Sequence, residues 1–191
     1  MTAQKTIERS IQANQIQTIN VDANKSFEIF VESSSTKTIT VRVEIEGEYS
    51  EQMVLLTETL ERELKISTDF QPLFEIPDNK LNAHKVLSII IRLTVPENLN
   101  VIISSDIGSV NITGSYNTLT AQLNHGHFVA NNFQGSALVN SIEGNITIAS
   151  NFASVEISNK NGNVIQEDIV PGPNKLLLNT LNGNITVLKT K

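Results

Sequence analysis

The chain lacks the side chains on which several kinds of site depend. Its 191 residues include no cysteine and no tryptophan, and aromatic residues make up only 5%. Without cysteine the chain can form neither disulfides nor thiolate metal sites. With so little aromatic bulk, the composition is typical of a narrow β-structure with a core of small aliphatic side chains.

Charge and hydropathy exclude further classes of protein. The net charge is −6, which disfavours unassisted binding to nucleic acid or to an anionic membrane. No run approaches the roughly 18 apolar residues of a membrane span. The first residues, MTAQK, contain no basic and apolar leader, although Ala3 and Gln4 would suit the flank of a cleavage site. A secreted or cell-envelope protein that has lost a leader and a cytoplasmic protein both fit this start, and we expect no cofactor.

Glycine recurs at a fixed spacing in the second half of the chain. An apolar residue stands seven and five positions before each of these glycines, and two and four positions after it, with Gln166 as the one exception. The glycines, 18 residues apart except for a last interval of 21, are Gly108, Gly126, Gly144, Gly162 and Gly183.

Apolar residues two apart have the period of a β-strand, so each repeat contains one short strand before its glycine and one after it. Stacking such repeats in register buries continuous columns of side chains. The sequence therefore predicts an all-β fold, a parallel β-solenoid of about 18 residues per coil. The repeats lack the Gly-Gly-x-Gly-x-Asp motif of calcium-binding rolls and the six-residue period of hexapeptide helices.

The repeated glycines are predicted to form the corners between strands, where positive φ is often required. Asparagine, which tolerates that conformation, flanks three of the five. The opposite corner is less regular. Pro171, Gly172 and Pro173 there account for the three extra residues before the last glycine, and we expect a bulge or short loop at that point.

Residues 1–85 are β-rich but show no such register, and we expect them to cap the repeats of residues 86–191 within one continuous domain. Alternating apolar residues predict strands at 27–31 and 39–45, joined as a hairpin by the polar turn at 33–35. A further strand, 87–95, leads into the first repeat.

Residues 54–66 fit either an amphipathic helix or two strands. Two strands with a turn near Glu61 are favoured, because the surrounding sequence is so rich in strand patterns. Pro72, Pro77 and Asp78-Asn79 mark the loop that follows.

Candidate chemistry in the repeats is sparse. His125 and His127 flank Gly126, but two imidazoles are too few for a zinc site, and we expect them to be corner residues. A carboxylate pair for polysaccharide cleavage would also need a basic partner, and the repeats contain no arginine and few lysines. We predict no metal site and no catalytic residues. The carboxylates considered are Asp106, Glu143, Glu156, Glu167 and Asp168.

Polar side chains at outward strand positions are the one feature with functional promise. Rows of Ser, Thr and Asn can bind carbohydrate or protein through hydrogen bonds, although any solvated sheet presents similar rows. The predicted binding face consists of Ser104, Asn111, Thr113, Asn140, Thr147, Ser158, Asn179 and Thr186.

At Gly108, Gly144, Gly162 and Gly183 the chain reads Gly-Ser-Val, Gly-Asn-Ile, Gly-Asn-Val and Gly-Asn-Ile. With these motifs the repeats resemble the DUF4097-type putative adhesin family, whose strand repeats read Gly-Asn/Asp-Ile/Val. The matching segments cover much of residues 85–191. That resemblance implies a β-solenoid found in bacterial cell-envelope proteins, often exported, for which adhesion has been proposed, and it brings no catalytic residues. The segments are 107–110, 143–146, 161–164 and 182–185.

The sequence thus predicts a non-enzymatic, envelope-associated binding or scaffold protein with a glycan or protein ligand of unknown identity. The alternative is a self-assembling scaffold similar to bactofilins, stacked end to end through an exposed last strand at Asn184–Leu188. A polysaccharide-active enzyme is the third hypothesis.

Overall fold

The computed structural model describes residues 4–74 and 87–190, which form strands joined by turns and one 3₁₀ turn at Ser50–Gln52. The all-β prediction is confirmed. In chain order the strands are β1 (Gln4–Gln12), β2 (Thr18–Asp22), β3 (Glu28–Ser34), β4 (Thr38–Glu46), β5 (Met53–Leu60), β6 (Glu63–Phe70), β7 (Ser88–Pro96), β8 (Asn100–Ser105), β9 (Ser109–His125), β10 (Phe128–Glu143), β11 (Ile146–Ser150), β12 (Ala153–Asn161), β13 (Val164–Gln166), β14 (Asn174–Asn182) and β15 (Ile185–Lys189).

The strands make two faces that enclose a single apolar core. One face has the order β5-β6-β2-β8-β9-β10-β14-β12, and the other has the order β1-β4-β7-β3-β9-β10-β11-β15-β13. The long strands β9 and β10 contribute their first halves to the second face and their last halves to the first. The nine strands of the second face form a mixed, nearly closed, barrel-like sheet.

The prediction of a parallel β-solenoid is wrong. Strands β1, β4 and β7 pair antiparallel, as do β5 and β6, so the sheet is mixed rather than parallel throughout. The repeats also do not follow one another along the stack in the order of the sequence. A fixed period establishes which residues face inward, but several strand orders satisfy the same period.

The fifth repeat lies between the third and the fourth. Leu176 pairs with Ala137 on one side and with Val155 on the other, so β14 separates β10 from β12. On the opposite face β15 separates β11 from β13 in the same way. The repeats, which are defined by their strands, span residues 100–113, 118–131, 136–150, 153–166 and 174–189 from first to fifth.

Two connections make this order possible. Between the third and fourth repeats the chain steps over the width of one strand at Phe152, a non-glycine residue with φ of 56°. The segment 167–173 then returns to the gap and is held against the step: Ala153 N donates to Val170 O at 3.1 Å, and Val170 N donates to Asn151 Oδ1 at 2.8 Å. The additional Pro-Gly-Pro residues therefore belong to the returning connection.

The predicted apolar columns are buried in four of the five repeats. In the fifth repeat, for example, Leu176, Leu178, Ile185 and Val187 are all fully buried. In the fourth repeat the equivalent residues are half-buried or exposed, because this repeat forms the end of the stack. Gln166, the one polar residue in the columns, lies in that terminal repeat, where its amide stays in water.

Strands β2 and β3 form an additional repeat that the sequence pattern did not reveal. Ile19 and Val21 pair with the first column positions of the first repeat, and Ile29 and Val31 pair with the last ones. The corner of this unit is one residue longer than in the first repeat and contains no glycine. Strands β4 to β7 are inserted between it and the first repeat, which hides the period.

The other expectations for the first half have mixed outcomes. The turn near Glu61 is confirmed, since β5 and β6 pair antiparallel on either side of it and Glu61 has a φ of 55°. Strand 87–95 is confirmed as β7. The predicted hairpin of β3 and β4 is wrong, because β7 lies between them and pairs with both. Pro77, Asp78-Asn79 and the predicted boundary at residues 85–86 lie outside the described residues.

Side chains close the end of the stack at which β1 and β5 lie. Lys5 Nζ donates to the backbone oxygens of Glu51 and Met53, both at 2.9 Å. Arg9 donates to Thr57 Oγ1 at 2.8 Å. The two faces are therefore joined at this end by hydrogen bonds between their outermost strands.

Tyr116 joins the additional repeat to the rest of the stack. Its hydroxyl lies 3.0 Å from Val31 O and 2.9 Å from Thr113 O, and its ring stacks on Phe133 with the centroids 5.8 Å apart. The side chain is buried. Burial raises the pKa of the Tyr116 phenol above its ordinary value of 10.0.

We expect the Tyr116 phenol to stay protonated in the native protein at about pH 11, where a free tyrosine is mostly ionised. The folded-state pKa is the higher one, so this group contributes stability below the unfolded pKa and loses it as the pH rises through the folded pKa. The measurement is the phenolate absorbance of a Tyr49→Phe variant, which retains Tyr116 as its one tyrosine. The urea-unfolded variant is the control, and phenolate in the still-folded protein would contradict the assignment.

The repeated glycines are required by backbone contact at the corner. Gly126 has a φ of 113°, a conformation that other residues rarely adopt. A Cβ atom at this position would lie 2.5 Å from the carbonyl oxygen of Gly108 in the neighbouring repeat. The corners of adjacent repeats can therefore stack at strand spacing only without a side chain.

We predict that Gly126→Ala lowers the free energy of unfolding by about 3 kcal/mol, from backbone strain and steric overlap together. The measurement is urea denaturation followed by circular dichroism. Gln122→Ala, at an exposed position of strand β9, which ends just before Gly126, is the matched control and should change stability by less than about 0.5 kcal/mol. Equal stability of the two variants would show that the corner does not need glycine.

Candidate ligand-binding groove

A groove of about 780 Å³ runs across the last four strands of the first face, β9, β10, β14 and β12. Each strand contributes three consecutive residues, of which the first and third point outward and the middle one points toward the core. The groove is lined by Gln122, Leu123, Asn124, Asn140, Ser141, Ile142, Ser158, Asn159, Lys160, Asn179, Thr180 and Leu181.

The strand order places these polar side chains next to one another. Asn140 is opposite Gln122 on one side and Asn179 on the other, and Asn179 is opposite Ser158. In sequence order Asn140 would instead have met Ser158. The inserted fifth repeat therefore places an additional amide in the middle of the row.

Hydrogen bonding leaves part of this row available to a ligand. Asn179 Nδ2 donates to Asn140 Oδ1 at 2.9 Å, which fixes both amide planes. The Asn140 N–H groups and the Asn179 oxygen have no hydrogen-bond partner among the described residues. The pair thus presents both donors and an acceptor to the groove.

A second row, two residues further along each strand, has a different character. It contains Ile142 and Leu181, which are 46% and 47% exposed and lie on adjacent strands. Asn124 and Lys160 lie at its two ends. Asn124 Nδ2 donates to Asp106 Oδ1 at 2.7 Å, just outside the groove. The groove therefore combines a row of amides with a small apolar surface and one cation.

The structure divides the predicted binding face. Asn140, Ser158 and Asn179 come together in the groove. Ser104 belongs to the same row but lies beyond Gln122, with which it pairs. That these residues bind a ligand stays a prediction.

The remaining predicted residues lie on the opposite face. Asn111 pairs with Val129, Val129 pairs with Thr147, and Thr147 pairs with Thr186, so one apolar residue interrupts this polar row. Thr113 pairs with Asn131 nearer the far corner. The period places all eight residues outward, but it does not distinguish one face from the other.

The binding face predicted from the sequence does not include four residues that line the groove, Gln122, Ile142, Leu181 and Lys160. A signal for the apolar pair was present: two positions before the glycine, the repeats carry Asp106, Asn124 and Lys160, all polar, but Ile142 and Leu181 in the other two. Outward apolar residues indicate a contact surface where they lie together, and the strand order places these two on adjacent strands.

The histidines are corner residues with hydrogen bonds of their own. His125 Nδ1 lies 3.1 Å from Glu143 Oε2, with both side chains more than half exposed. Asp106 and Glu143 lie on the first and third repeats, on either side of the second, so the strand stack separates the two carboxylates. Glu167 Oε2 accepts from Lys189 N at 2.7 Å.

The residue after each glycine has a structural role. His127 N donates to Ser109 Oγ, Asn145 N donates to His127 Nδ1, and Asn184 N donates to Asn145 Oδ1, at 2.8–3.1 Å. Each side chain accepts a hydrogen bond from the backbone of the next repeat in the stack. The preference for Ser, His and Asn at this position is thus a requirement for an acceptor, and His127 donates no proton from Nδ1.

Two absences in the described part of the chain bear on other kinds of site. Within residues 4–74 and 87–190, no three or more His, Cys, Asp or Glu side chains are grouped so that they could hold a metal ion. The same ranges contain no helix with the length and hydropathy needed to cross a membrane.

The fold is similar to that of a putative cell adhesion protein from Clostridium sporogenes ATCC 15579. The two share 12% sequence identity with a TM-score of 0.70, over 98% of this chain and 100% of that one. Putative adhesins from Bacteroides fragilis NCTC 9343 and Parabacteroides distasonis ATCC 8503 are similar at TM-scores of 0.41 and 0.36, with 12% and 15% identity over 97% of each chain.

At such low identity the likeness to the Clostridium sporogenes protein shows a shared fold alone. No protein-family model matches the chain, and no curated protein matches it in sequence. The resemblance to DUF4097-type adhesins therefore stays a prediction.

Proposed function

We propose that this chain is a non-enzymatic binding module that holds an extended glycan in the groove. The observation that carries the proposal is the row formed by Gln122, Asn140, Asn179 and Ser158, placed side by side by the strand order. Strand spacing of about 4.8 Å sets these groups at regular intervals along the groove. A polymer with regularly repeated hydroxyls matches such a row.

The composition of the groove suits a sugar. Amides donate and accept at once, as a sugar hydroxyl also does, so the two can form paired hydrogen bonds. Ile142 and Leu181 supply a small apolar surface for the C–H face of a sugar ring. The groove also favours binding over cleavage, since glycoside hydrolysis commonly uses two carboxylates and its lining residues include none.

Lys160 adds a preference within this class of ligand. It is the only charged side chain among the groove residues. A cation beside a row of amides favours a glycan whose repeating unit carries a carboxylate. We therefore expect an acidic polysaccharide to bind more tightly than its neutral counterpart.

The similarity to the Clostridium sporogenes protein supports this proposal, because that protein is called a putative cell adhesion protein. An adhesion role would place this chain at the cell envelope or outside the cell. The catalytic hypothesis has weaker support, since none of the repeat carboxylates lines the groove.

The test is retention of the purified chain on an array of immobilised polysaccharides, including polygalacturonate and its methyl ester. We predict binding to the acid form, weakened roughly tenfold by Asn140→Ala through loss of about 1.4 kcal/mol of hydrogen bonding. Thr147→Ala is the matched control: it lies in the same repeat at an outward position of the opposite face, and it should bind like the native chain.

An array that retains nothing would contradict the glycan proposal, as would equal losses for the two variants. Binding of a purified surface protein that is lost in Asn140→Ala would keep the groove as the site and replace the glycan with a protein ligand.

A further inference from the structure

The fourth repeat leaves an open edge at one end of the molecule. Strand β12 pairs with β14 alone and β13 pairs with β15 alone, so neither has a second strand partner within the described part of the chain. The returning segment contacts only the start of β12, where Ala153 N donates to Val170 O. An unpaired edge presents backbone N–H and C=O groups to any strand that can approach it. The predicted end strand Asn184–Leu188 does not form this edge, since β15 is interior.

The same end leaves part of the core uncovered. Val164 is 47% exposed, whereas its equivalents Ile146 and Ile185 are fully buried. Val155 and Ile157 are half-buried, whereas Leu176 and Leu178, with which they pair, are fully buried. One further layer of strands would cover these side chains as the inner repeats cover one another.

The two ends of the stack differ in this respect. At the far end, Lys5 and Arg9 of β1 bond to the segment around β5 and close the two faces. At the near end, the described hydrogen bond between the two faces lies at the corner, where Asn159 Nδ2 of β12 donates to Asn163 O beside β13 at 3.4 Å. An added strand pair therefore fits the near end and not the far one.

We propose that β12 pairs antiparallel with β12 of a second copy of this chain, in a register centred on Ser158. In that register Glu156 of each copy lies opposite Lys160 of the other. Both side chains are exposed, and neither has an ion-pair partner among the described residues. The charge pattern of β12 is therefore complementary to itself under a two-fold axis, as an isologous dimer requires.

The two-fold axis of such a pair is perpendicular to the sheet and passes through both faces. The same axis brings β13 of one copy beside β13 of the other, and this contact covers Val164. The first faces of the two copies then form one continuous sheet with both grooves on the same side. A long glycan could reach both grooves, which would raise the avidity of an adhesin without new contacts.

The test is the mass of the unliganded full chain in solution, measured by sedimentation velocity over a range of concentrations. We predict a dimer, at twice the 21.0 kDa of one chain. Glu156→Lys should weaken dimerisation roughly tenfold, since it turns two attractive cross-strand pairs into repulsive ones. Adding Lys160→Glu to that variant should restore the dimer, because the swapped charges are complementary again.

The matched control is Glu8→Lys, the same charge change on the exposed edge strand of the far end, which should leave the dimer unchanged. A native chain that stays monomeric at every concentration would overturn the proposal, as would assembly beyond the dimer. If Glu156→Lys does not weaken dimerisation, or if the swapped pair does not restore it, the proposed register is wrong. The sample contains no glycan, so this result does not depend on whether the groove binds a glycan.

Discussion

The structure depends on one constraint, that a strand must place its apolar residues in the same columns as those of the strand beside it. Strands about 4.8 Å apart share a single core, so a shift of one residue would turn the apolar side chains outward. The additional repeat of β2 and β3 satisfies the constraint without a glycine corner. Any two repeats that meet this constraint can pair with each other, so the order of the repeats in the sequence does not determine which repeats are neighbours in the structure.

The fourth repeat takes the terminal position for a physical reason. If the fourth and fifth repeats were exchanged, Gln166 would occupy the buried place of Val187, and its amide would lose water without gaining a partner. With Gln166 at the end, the amide stays solvated. The same arrangement places Asn179 beside Asn140 in the groove and leaves the fourth repeat at the open edge.

The sequence was sufficient for the inward-facing columns, the corner glycines and the turn at Glu61, because each follows from local geometry. It was not sufficient for the strand order, which depends on contacts between repeats of nearly equal pattern. The wrong prediction of a hairpin has the same cause, since β7, which lies between β3 and β4, begins more than forty residues after β4 ends. Half of the residues of the predicted binding face lie on the face opposite the groove, because outward positions on both faces follow the same period in the sequence.

The most direct test of the strand order is to identify which strand lies beside the third repeat on the second face. In the structure Thr147 lies beside Thr186, and Ile165 is one strand further away. The chain has no cysteine, so paired substitutions give an unambiguous result with a short thiol-to-thiol crosslinker. We expect an intramolecular crosslink in Thr147→Cys/Thr186→Cys, across about 4.8 Å, and little in Thr147→Cys/Ile165→Cys, across about twice that distance. The opposite result would mean that the repeats stack in sequence order, and would contradict the fold and the groove together.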